Sequence, residues 1–181
     1  GGDCCQRPRC WYFRTANGLF AQVNGESLVP NGDNRYHAVF DNDGEAHFVS
    51  ASSLGPAFVA LGATMHIAGP DGATREVPAG EFFQRPEKET DRETVLAPNE
   101  ILTAIAIPKS GLKNATYEVR HRFGLDWPYV TASVSETSAQ ACGDAAIKDA
   151  TPLSKNAYKL QLVRTAVKRA LLAAQSGAKE A

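Results

Sequence analysis

Turn signals divide the first two thirds of this 181-residue chain into short segments, and helical periodicity is strong only near its end. Asn-Gly pairs at 17–18, 24–25 and 31–32 predict that residues 1–36 are mostly loop. Short runs between closely spaced turns favour antiparallel strands, because antiparallel strands can be joined by tight hairpins. A fold of alternating strands and helices is therefore not expected.

Two β-hairpins are predicted after this loop, each around a four-residue turn rich in Asp and Gly. Between them, Ser52 or Ser53 can begin a short helix that ends at Gly62, since Ser caps helix starts and Gly follows helix ends. Alternation of apolar and polar residues predicts further strands. The predicted hairpin strands are 36–40 with 46–49 and 63–68 with 73–77, and the later strands are 101–107, 114–122 and 129–134.

The C-terminal part is predicted to be helical over residues 136–149 and 156–174. In the second helix an apolar stripe recurs at the 3.6-residue period and predicts a core face, and the basic residues of the other face are expected to be solvated. Together these patterns predict an α+β fold of antiparallel sheets with helices packed at one end. The stripe consists of Leu160, Val163, Val167, Ala170 and Leu171, and the basic residues are Lys159, Arg164, Lys168 and Arg169.

Composition excludes several functions. Lys plus Arg number 19 and Asp plus Glu number 20, so the chain lacks the positive excess typical of nucleic-acid binding. The longest apolar run, residues 54–61, is far shorter than the roughly 20 residues of a membrane span. Dinucleotide, P-loop, hydrolase and zinc-protease motifs are absent from the sequence, and the four His residues are scattered, with His47 and His66 on predicted strands as structural residues.

One local pattern points to an anion. Gly1 and Gly2 precede Asp3, and paired glycines let backbone N–H groups approach a phosphate while a following Asp can accept from a ribose hydroxyl. Gly-Gly pairs also occur in ordinary turns, so this pattern alone leaves both interpretations open.

The order of eight segments identifies a resemblance that covers nearly the whole chain. It includes the sequences QRPRCWYFR at 6–14 and PLSKNAYK at 152–159. The others lie at 32–40, 53–62, 92–94, 98–102, 117–120 and 125–128. Together they resemble the FAD-binding (medium) subunits of molybdenum hydroxylases, the family of xanthine dehydrogenases, carbon monoxide dehydrogenases and aldehyde oxidoreductases.

The resemblance implies which residues would contact FAD, and it implies no catalytic side chain and no metal ligand. Gly1 and Gly2 would present N–H groups to the pyrophosphate, and Asp3 would contact the nucleotide. Ser53 stands where xanthine dehydrogenases have an Asp that contacts FAD, and Glu118 stands where they have a flavin-contacting Lys. Two further positions match residues that pack on the cofactor: Leu102 and Trp127. For Trp127, an ordinary buried core residue is the alternative.

The implied function is electron transfer within an oxidoreductase complex of the xanthine dehydrogenase type. Electrons would pass from molybdopterin on a large subunit through [2Fe–2S] clusters on a small subunit to FAD on this chain, and then to NAD or another acceptor. The alternative is a flavin-free docking remnant that only contacts the other subunits. A cytoplasmic location is expected, and a periplasmic complex is the alternative.

The resemblance also implies how the chain is divided. Residues 1–108 would be the C-terminal part of the FAD-binding domain, and residues 109–181 a shortened C-terminal domain. Relative to the family, the chain is expected to be truncated at its start and shortened after Ser135, and therefore to bind FAD poorly by itself. Some relatives hold a [4Fe–4S] cluster through four Cys in one loop. Residues 12–35 contain no Cys, so no such cluster is expected.

Overall fold

The computed structural model describes residues 1–109, 111–122, 124, 127–135 and 145–176. Within these residues, four α-helices and seven β-strands are separated by long loops. In chain order they are α1 (Trp11–Arg14), β1 (Gln22–Val23), β2 (Glu26–Ser27), α2 (Gly55–Ala60), β3 (Thr64–Ala68), β4 (Thr74–Pro78), α3 (Ala79–Phe82), β5 (Ile101–Ala106), β6 (Asn114–Val119), β7 (Val130–Ser135) and α4 (Lys159–Ser176).

The largest sheet is antiparallel with the strand order β4-β3-β5. The predicted hairpin between β3 and β4 is confirmed, and its turn uses a left-handed Asp71 (φ 55°) followed by Gly72 (φ 77°). Inward side chains of β3 alternate with exposed ones, as expected for a strand with one covered face. Met65 and Ile67 are 0% and 1% exposed and form the core with Phe82 from α3.

The second packed unit consists of the β6-β7 hairpin and helix α4. Ala132 and Val134 of β7 pack against Ala166 and Ala170 of α4, and both of these alanines are fully buried. Small side chains let the helix lie close to the sheet. The predicted apolar stripe is therefore confirmed, with the alanine positions at its centre.

The prediction that the basic residues of this helix are solvated is wrong for one of them. Lys159 is 2% exposed, because its Nζ points inward and donates to the backbone oxygen of His37 at 2.8 Å. Arg164 and Lys168 are exposed as expected.

The hairpin predicted over residues 36–49 does not form. Ala38 N donates to His47 O at 2.8 Å, but the residues around it bond to the C-terminal part of the chain instead. The Asn156 side chain donates to His37 O at 3.2 Å and Ala38 O at 2.9 Å, and Thr151 N donates to Val39 O at 2.8 Å. Because the backbone oxygens of residues 37–39 accept hydrogen bonds from residues 151–156, they are not available to pair with a neighbouring strand.

The α+β class with antiparallel sheets is confirmed. Helix α2 and the strands predicted at 101–107, 114–122 and 129–134 are also confirmed, within a few residues at their ends. Most of the helix predicted at 136–149 lies outside the described residues, and Ala145–Ile147 form a 3-10 turn. None of the helices in the described ranges is long and apolar enough to cross a membrane.

Candidate functional site

The N-terminal turn and the start of α2 are joined by one carboxylate. Asp3 accepts hydrogen bonds from Ser52 Oγ at 2.5 Å, from Leu54 N at 3.1 Å and from Ser53 N at 3.4 Å. Ser52 Oγ in turn accepts from Gly55 N at 2.8 Å, which satisfies an amide at the helix start. The structure thus brings together two of the predicted site residues, Asp3 and Ser53.

The other predicted residues near this turn are the two glycines and Leu102. A Cβ built on Gly1 would lie 3.6 Å from the backbone oxygen of Leu102, so the turn lies beside β5. Gly1 and Gly2 are exposed. The side chain of Leu102 is 8% exposed and belongs to the core around Met65.

Trp127 lies in a cleft of about 740 Å³ between the N-terminal loop and the C-terminal unit. We call this the Trp127 cleft. Aromatic side chains form much of its wall, and two of them, Tyr36 and Tyr129, are stacked with ring centroids 5.3 Å apart and planes 8° from parallel. The aromatic lining residues are Trp11, Tyr36, Phe48, Trp127 and Tyr129.

The charged groups of the Trp127 cleft all have the same sign. Arg9, Arg122 and Lys159 line it together with His37 and His121, and no Asp or Glu is among the lining residues that the structure describes. The guanidinium carbon of Arg9 lies 4.1 Å from the Trp127 ring centroid, in a cation–π contact. Cationic donors beside aromatic faces suit a planar ligand that carries negative charge.

Two other lining residues of the cleft, His37 and Cys10, contact each other. His37 is 3% exposed, and its Nε2 lies 3.2 Å from Cys10 Sγ. Burial, reinforced by the nearby Lys159 charge, lowers the pKa of His37 to about 4, and burial raises the pKa of the Cys10 thiol. Both groups are therefore neutral near pH 7, which does not match an activated thiolate–imidazolium pair.

A second cavity of about 260 Å³ continues from the Trp127 cleft toward α2. The two share Arg9, Trp127 and Lys159, and the smaller one extends to Ser52, the residue bonded to Asp3. The two cavities form one groove from Trp127 to Ser52, and Ser52 Oγ donates to Asp3 of the N-terminal turn, whose residues Gly1, Gly2 and Asp3 do not themselves line the groove.

Of the seven predicted site residues, Trp127 lines the groove, and the other six, Glu118 among them, do not. The Glu118 carboxylate forms an ion pair with Arg120 and also accepts from Thr131 Oγ1 at 3.4 Å. Thr131 itself lines the smaller cavity. Glu118 thus lies one side chain away from the groove.

The sequence analysis missed the cleft wall formed by Arg9, Tyr36 and Lys159. Arg9 and Tyr36 lie within segments that carry the resemblance, but nothing in their local pattern distinguishes them from other loop residues. Lys159 lies four residues before Val163 and seven before Ala166, so the helical period places it on the buried face of α4, and only its charge favours solvent. Over the described part of the chain, no group of three or more His, Cys, Asp or Glu side chains could hold a metal ion.

Comparisons with known proteins agree with this fold. Residues 45–110 match the family model described as FAD binding domain in molybdopterin dehydrogenase. The chain is 25% identical over 209 residues to the aldehyde oxidoreductase FAD-binding subunit PaoB of Escherichia coli (strain K12), and the match covers 98% of this chain and 65% of PaoB.

Solved structures show the same fold. Quinoline 2-oxidoreductase from Pseudomonas putida 86 matches with a TM-score of 0.53 and 22% identity over 68% of this chain and 56% of that one. The carbon monoxide dehydrogenase from Hydrogenophaga pseudoflava matches with a TM-score of 0.52 and 22% identity over 69% and 56%. The Cu,Mo-CO dehydrogenase matches with a TM-score of 0.52 and 17% identity over 69% and 57%. The chain thus spans just over half the length of these solved chains.

The fold and groove define an α+β protein with a cleft lined by aromatic and cationic side chains. The resemblance inferred from the sequence is confirmed by residues 45–110, which match the family model of FAD-binding domains in molybdopterin dehydrogenases. FAD, the cofactor expected from the resemblance, is the one that this family's description names.

Proposed function

We propose that this chain is the FAD-binding, electron-transferring part of a molybdenum hydroxylase complex. Its partners would be a large subunit with molybdopterin and a small subunit with [2Fe–2S] clusters, and the electron acceptor would be NAD or another oxidant. FAD supplies the redox chemistry when bound, and the residues of this chain bind and orient it. The family match and the similarity to PaoB support this proposal.

The observation that carries the proposal is the groove from Trp127 to Ser52, whose Oγ donates to Asp3 of the N-terminal turn. FAD combines a planar aromatic ring with an anionic pyrophosphate, so it needs aromatic faces and hydrogen-bond donors or cations along one groove. The Trp127 cleft offers stacked rings and three cations, and the turn offers the exposed backbone of Gly1 and Gly2. The donor set therefore fits the cofactor.

Within this proposal the predicted residues have different roles. Trp127 would cover the flavin ring, and the N–H groups of Gly1 and Gly2 would meet the pyrophosphate. The Asp3 carboxylate already accepts three hydrogen bonds at the start of α2, so it would hold the turn in shape and present Ser53 beside the nucleotide. Leu102 would support β5 from the core, and Glu118 would act only through Arg120 and Thr131.

We also propose the division of the chain at residue 108. The core around Met65 lies before this point, and the core around Ala132 and Ala170 lies after it. Residues 34–39, however, bond to residues 151–159, so the N-terminal loop packs on the C-terminal unit. The Trp127 cleft lies where these two parts meet.

The direct test is FAD binding by the full-length protein and by its Trp127→Ala variant. Base–aromatic stacking is worth about 1–3 kcal/mol, so we expect the variant to bind FAD roughly 5- to 150-fold more weakly. Tyr158→Ala is the matched control, because Tyr158 is a 43% exposed aromatic that does not line the groove. Its FAD affinity should equal that of the wild type.

The outcome distinguishes the two functions inferred from the sequence. If the wild type binds no FAD but assembles with the molybdopterin and [2Fe–2S] subunits, the docking interpretation is correct and the electron-transfer proposal fails. If Trp127→Ala lowers the thermal midpoint of the flavin-free protein by many degrees and leaves FAD affinity unchanged, Trp127 is a core residue.

A further inference from the structure

Lys159 is a buried cation that has no counter-charge among the residues described. Its residue surface is 2% exposed, and its Nζ donates to the backbone oxygen of His37 at 2.8 Å. None of the salt bridges in the described ranges includes Lys159. An ammonium group carries three donors, and one carbonyl engages only one of them.

The surroundings of Lys159 make this arrangement costly for the protein alone. Lys is almost never fully buried unless it is paired, because removing a charge from water is unfavourable. The other charges of the Trp127 cleft, Arg9 and Arg122, have the same sign as Lys159. The burial lowers the pKa of Lys159 to about 8, so the group is still mostly protonated at pH 7. A negatively charged ligand in the cleft would compensate this charge.

The lining of the cleft indicates which part of the ligand carries that charge. Lys159 lines the cleft together with Trp127, Tyr36 and Tyr129, whose rings offer faces to a planar group. On the proposed function the pyrophosphate of FAD would lie beside Gly1 and Gly2, which do not line the cleft, so the ring is the part of the cofactor that would meet Lys159. The oxidised flavin ring is neutral, and uptake of two electrons and one proton converts it into a monoanion.

We propose that the ammonium group of Lys159 faces the isoalloxazine ring of FAD in the Trp127 cleft and stabilises the negative charge that the ring gains on reduction. This inference rests on the proposed function. It adds that the positive charge of Lys159 raises the reduction potential of the bound flavin. The electrons come from a one-electron donor of the iron–sulfur class in the proposed complex, or from dithionite in a titration. Lys159 itself neither gains nor loses an electron.

The test is the midpoint potential of FAD bound to the full-length protein, measured by reductive titration with dithionite and a reference dye. Lys159→Met keeps the length of the side chain and removes the charge. We expect the equilibrium ratio of reduced to oxidised flavin at a given potential to fall at least tenfold in this variant. For a two-electron couple a tenfold change equals a shift of about 30 mV in the midpoint potential. The potential should therefore become more negative.

Two control variants separate charge in the cleft from other effects. Lys159→Arg keeps the cation and should retain most of the wild-type potential. Lys168→Met removes an exposed Lys from the same helix and should leave the potential unchanged. Lys159→Gln is neutral and polar, and it replaces the Met variant in the titration if that variant does not fold.

A second measurement excludes a merely structural role. Without ligand, exchanging a buried unpaired ammonium for an apolar chain of similar volume should leave the thermal midpoint unchanged or raise it. A lowered midpoint with an unchanged potential would overturn the inference. An unchanged potential with weaker binding of both FAD and FMN would also overturn it, because Lys159 would then meet a phosphate. If the wild type binds no FAD, the proposed function fails, and this inference fails with it.

Discussion

The β4-β3-β5 sheet and the loop of residues 29–49 are stabilised in different ways. The sheet encloses an apolar core in which Met65 and Phe82 are fully buried. In the loop, the fully buried side chain is an amide: Asn34 bonds to Val29 O and Ser154 Oγ and accepts from Lys155 N. The sheet thus depends on apolar burial and the loop on polar contacts with a distant part of the chain.

This difference bears on the site. The loop supplies Tyr36, His37, Phe48 and Val49 to the Trp127 cleft, while the sheet supplies none of its lining. Segments with few apolar contacts are the ones that open locally at low free energy, and ligand sites are often built from them. We therefore expect the cleft wall to be less stable than the sheet beside it.

The largest effect is expected for Phe82→Ala in the sheet core. Phe82 is 0% exposed, and truncating a buried Phe costs about 3–5 kcal/mol through lost burial and a residual cavity. Denaturant unfolding should show this loss in the global transition. Leu54→Ala, at a site that is 49% exposed, is the control and should change stability little. A Phe82→Ala protein as stable as the control would mean that the sheet is not the stabilising core.

The next effect is expected for Asn156→Ala, which removes the amide that joins the loop to the C-terminal unit. Its Oδ1 accepts from Leu153 N at 2.7 Å, and its Nδ2 donates to His37 O and Ala38 O. Three hydrogen bonds at about 1 kcal/mol each predict a loss of about 2–3 kcal/mol. Hydrogen exchange should increase in residues 34–39 first and in β3 much less. An equal increase of hydrogen exchange in both regions would contradict the inference that the loop and the sheet are stabilised in different ways.

His37 makes the loop sensitive to pH. Burial holds its folded pKa at about 4, below the ordinary value near 6.5, so the unfolded chain binds the proton more readily. The stability that this group contributes is complete above pH 6.5 and is lost as pH falls from 6.5 to about 4. The two pKa values differ by about 2.5, which corresponds to about 3 kcal/mol at most, and we expect a loss of about 2 kcal/mol.

The measurement is unfolding free energy between pH 7 and pH 4 for the wild type and for His37→Gln. The variant cannot titrate, so its stability should fall less steeply over this range. His66→Gln is the matched control, because His66 lies on the exposed face of β3 beside Glu76 rather than in the loop. Equal slopes for the wild type and His37→Gln would contradict the prediction.

The same comparison explains what could be predicted from the sequence. Strands β3, β4 and β5 and helix α4 follow periodic apolar patterns that are local, so residues 63–77 and 156–174 reveal them. The loop is defined by contacts such as those of Asn34 and Asn156, more than 100 positions apart, and an isolated Asn gives no signal of its partner. The hairpin predicted at 36–49 failed for this reason.

For the candidate site, the predictions came from the local Gly-Gly-Asp pattern and from the family resemblance. The Gly1-Gly2-Asp3 turn and Trp127 were predicted from the resemblance; Trp127 lines the groove, and the turn meets it only through the bond from Ser52 to Asp3. The helical period places Lys159 on the buried face of α4 with Val163 and Ala166, but its bond to His37 O could not be predicted, because that acceptor lies more than 100 positions away. Which way a long side chain turns at a helix end depends on the loop that packs there.

The smallest effect is expected for Asp3→Asn, at the junction of the two regions. Asn keeps the shape of the side chain but loses the charge that strengthens the bonds from Ser52 Oγ and Leu54 N. We expect a loss of about 1 kcal/mol, or a thermal midpoint lower by about 2–4 °C in a chain of this size. Asp71→Asn is the control, because it removes one exposed carboxylate from a left-handed turn that Asn also tolerates.

Asp3 also tests how directly the turn serves the nucleotide. If its carboxylate only shapes the turn, Asp3→Asn should lower the flavin-free midpoint and weaken FAD binding in the same proportion, since both follow from a looser start of α2. If the carboxylate instead leaves Ser52 and accepts from the ribose, FAD affinity should fall while the flavin-free midpoint stays at the level of Asp71→Asn. The bonds to Ser52, Ser53 and Leu54 favour the first result, because forming a ribose contact would require breaking charge-assisted hydrogen bonds already made.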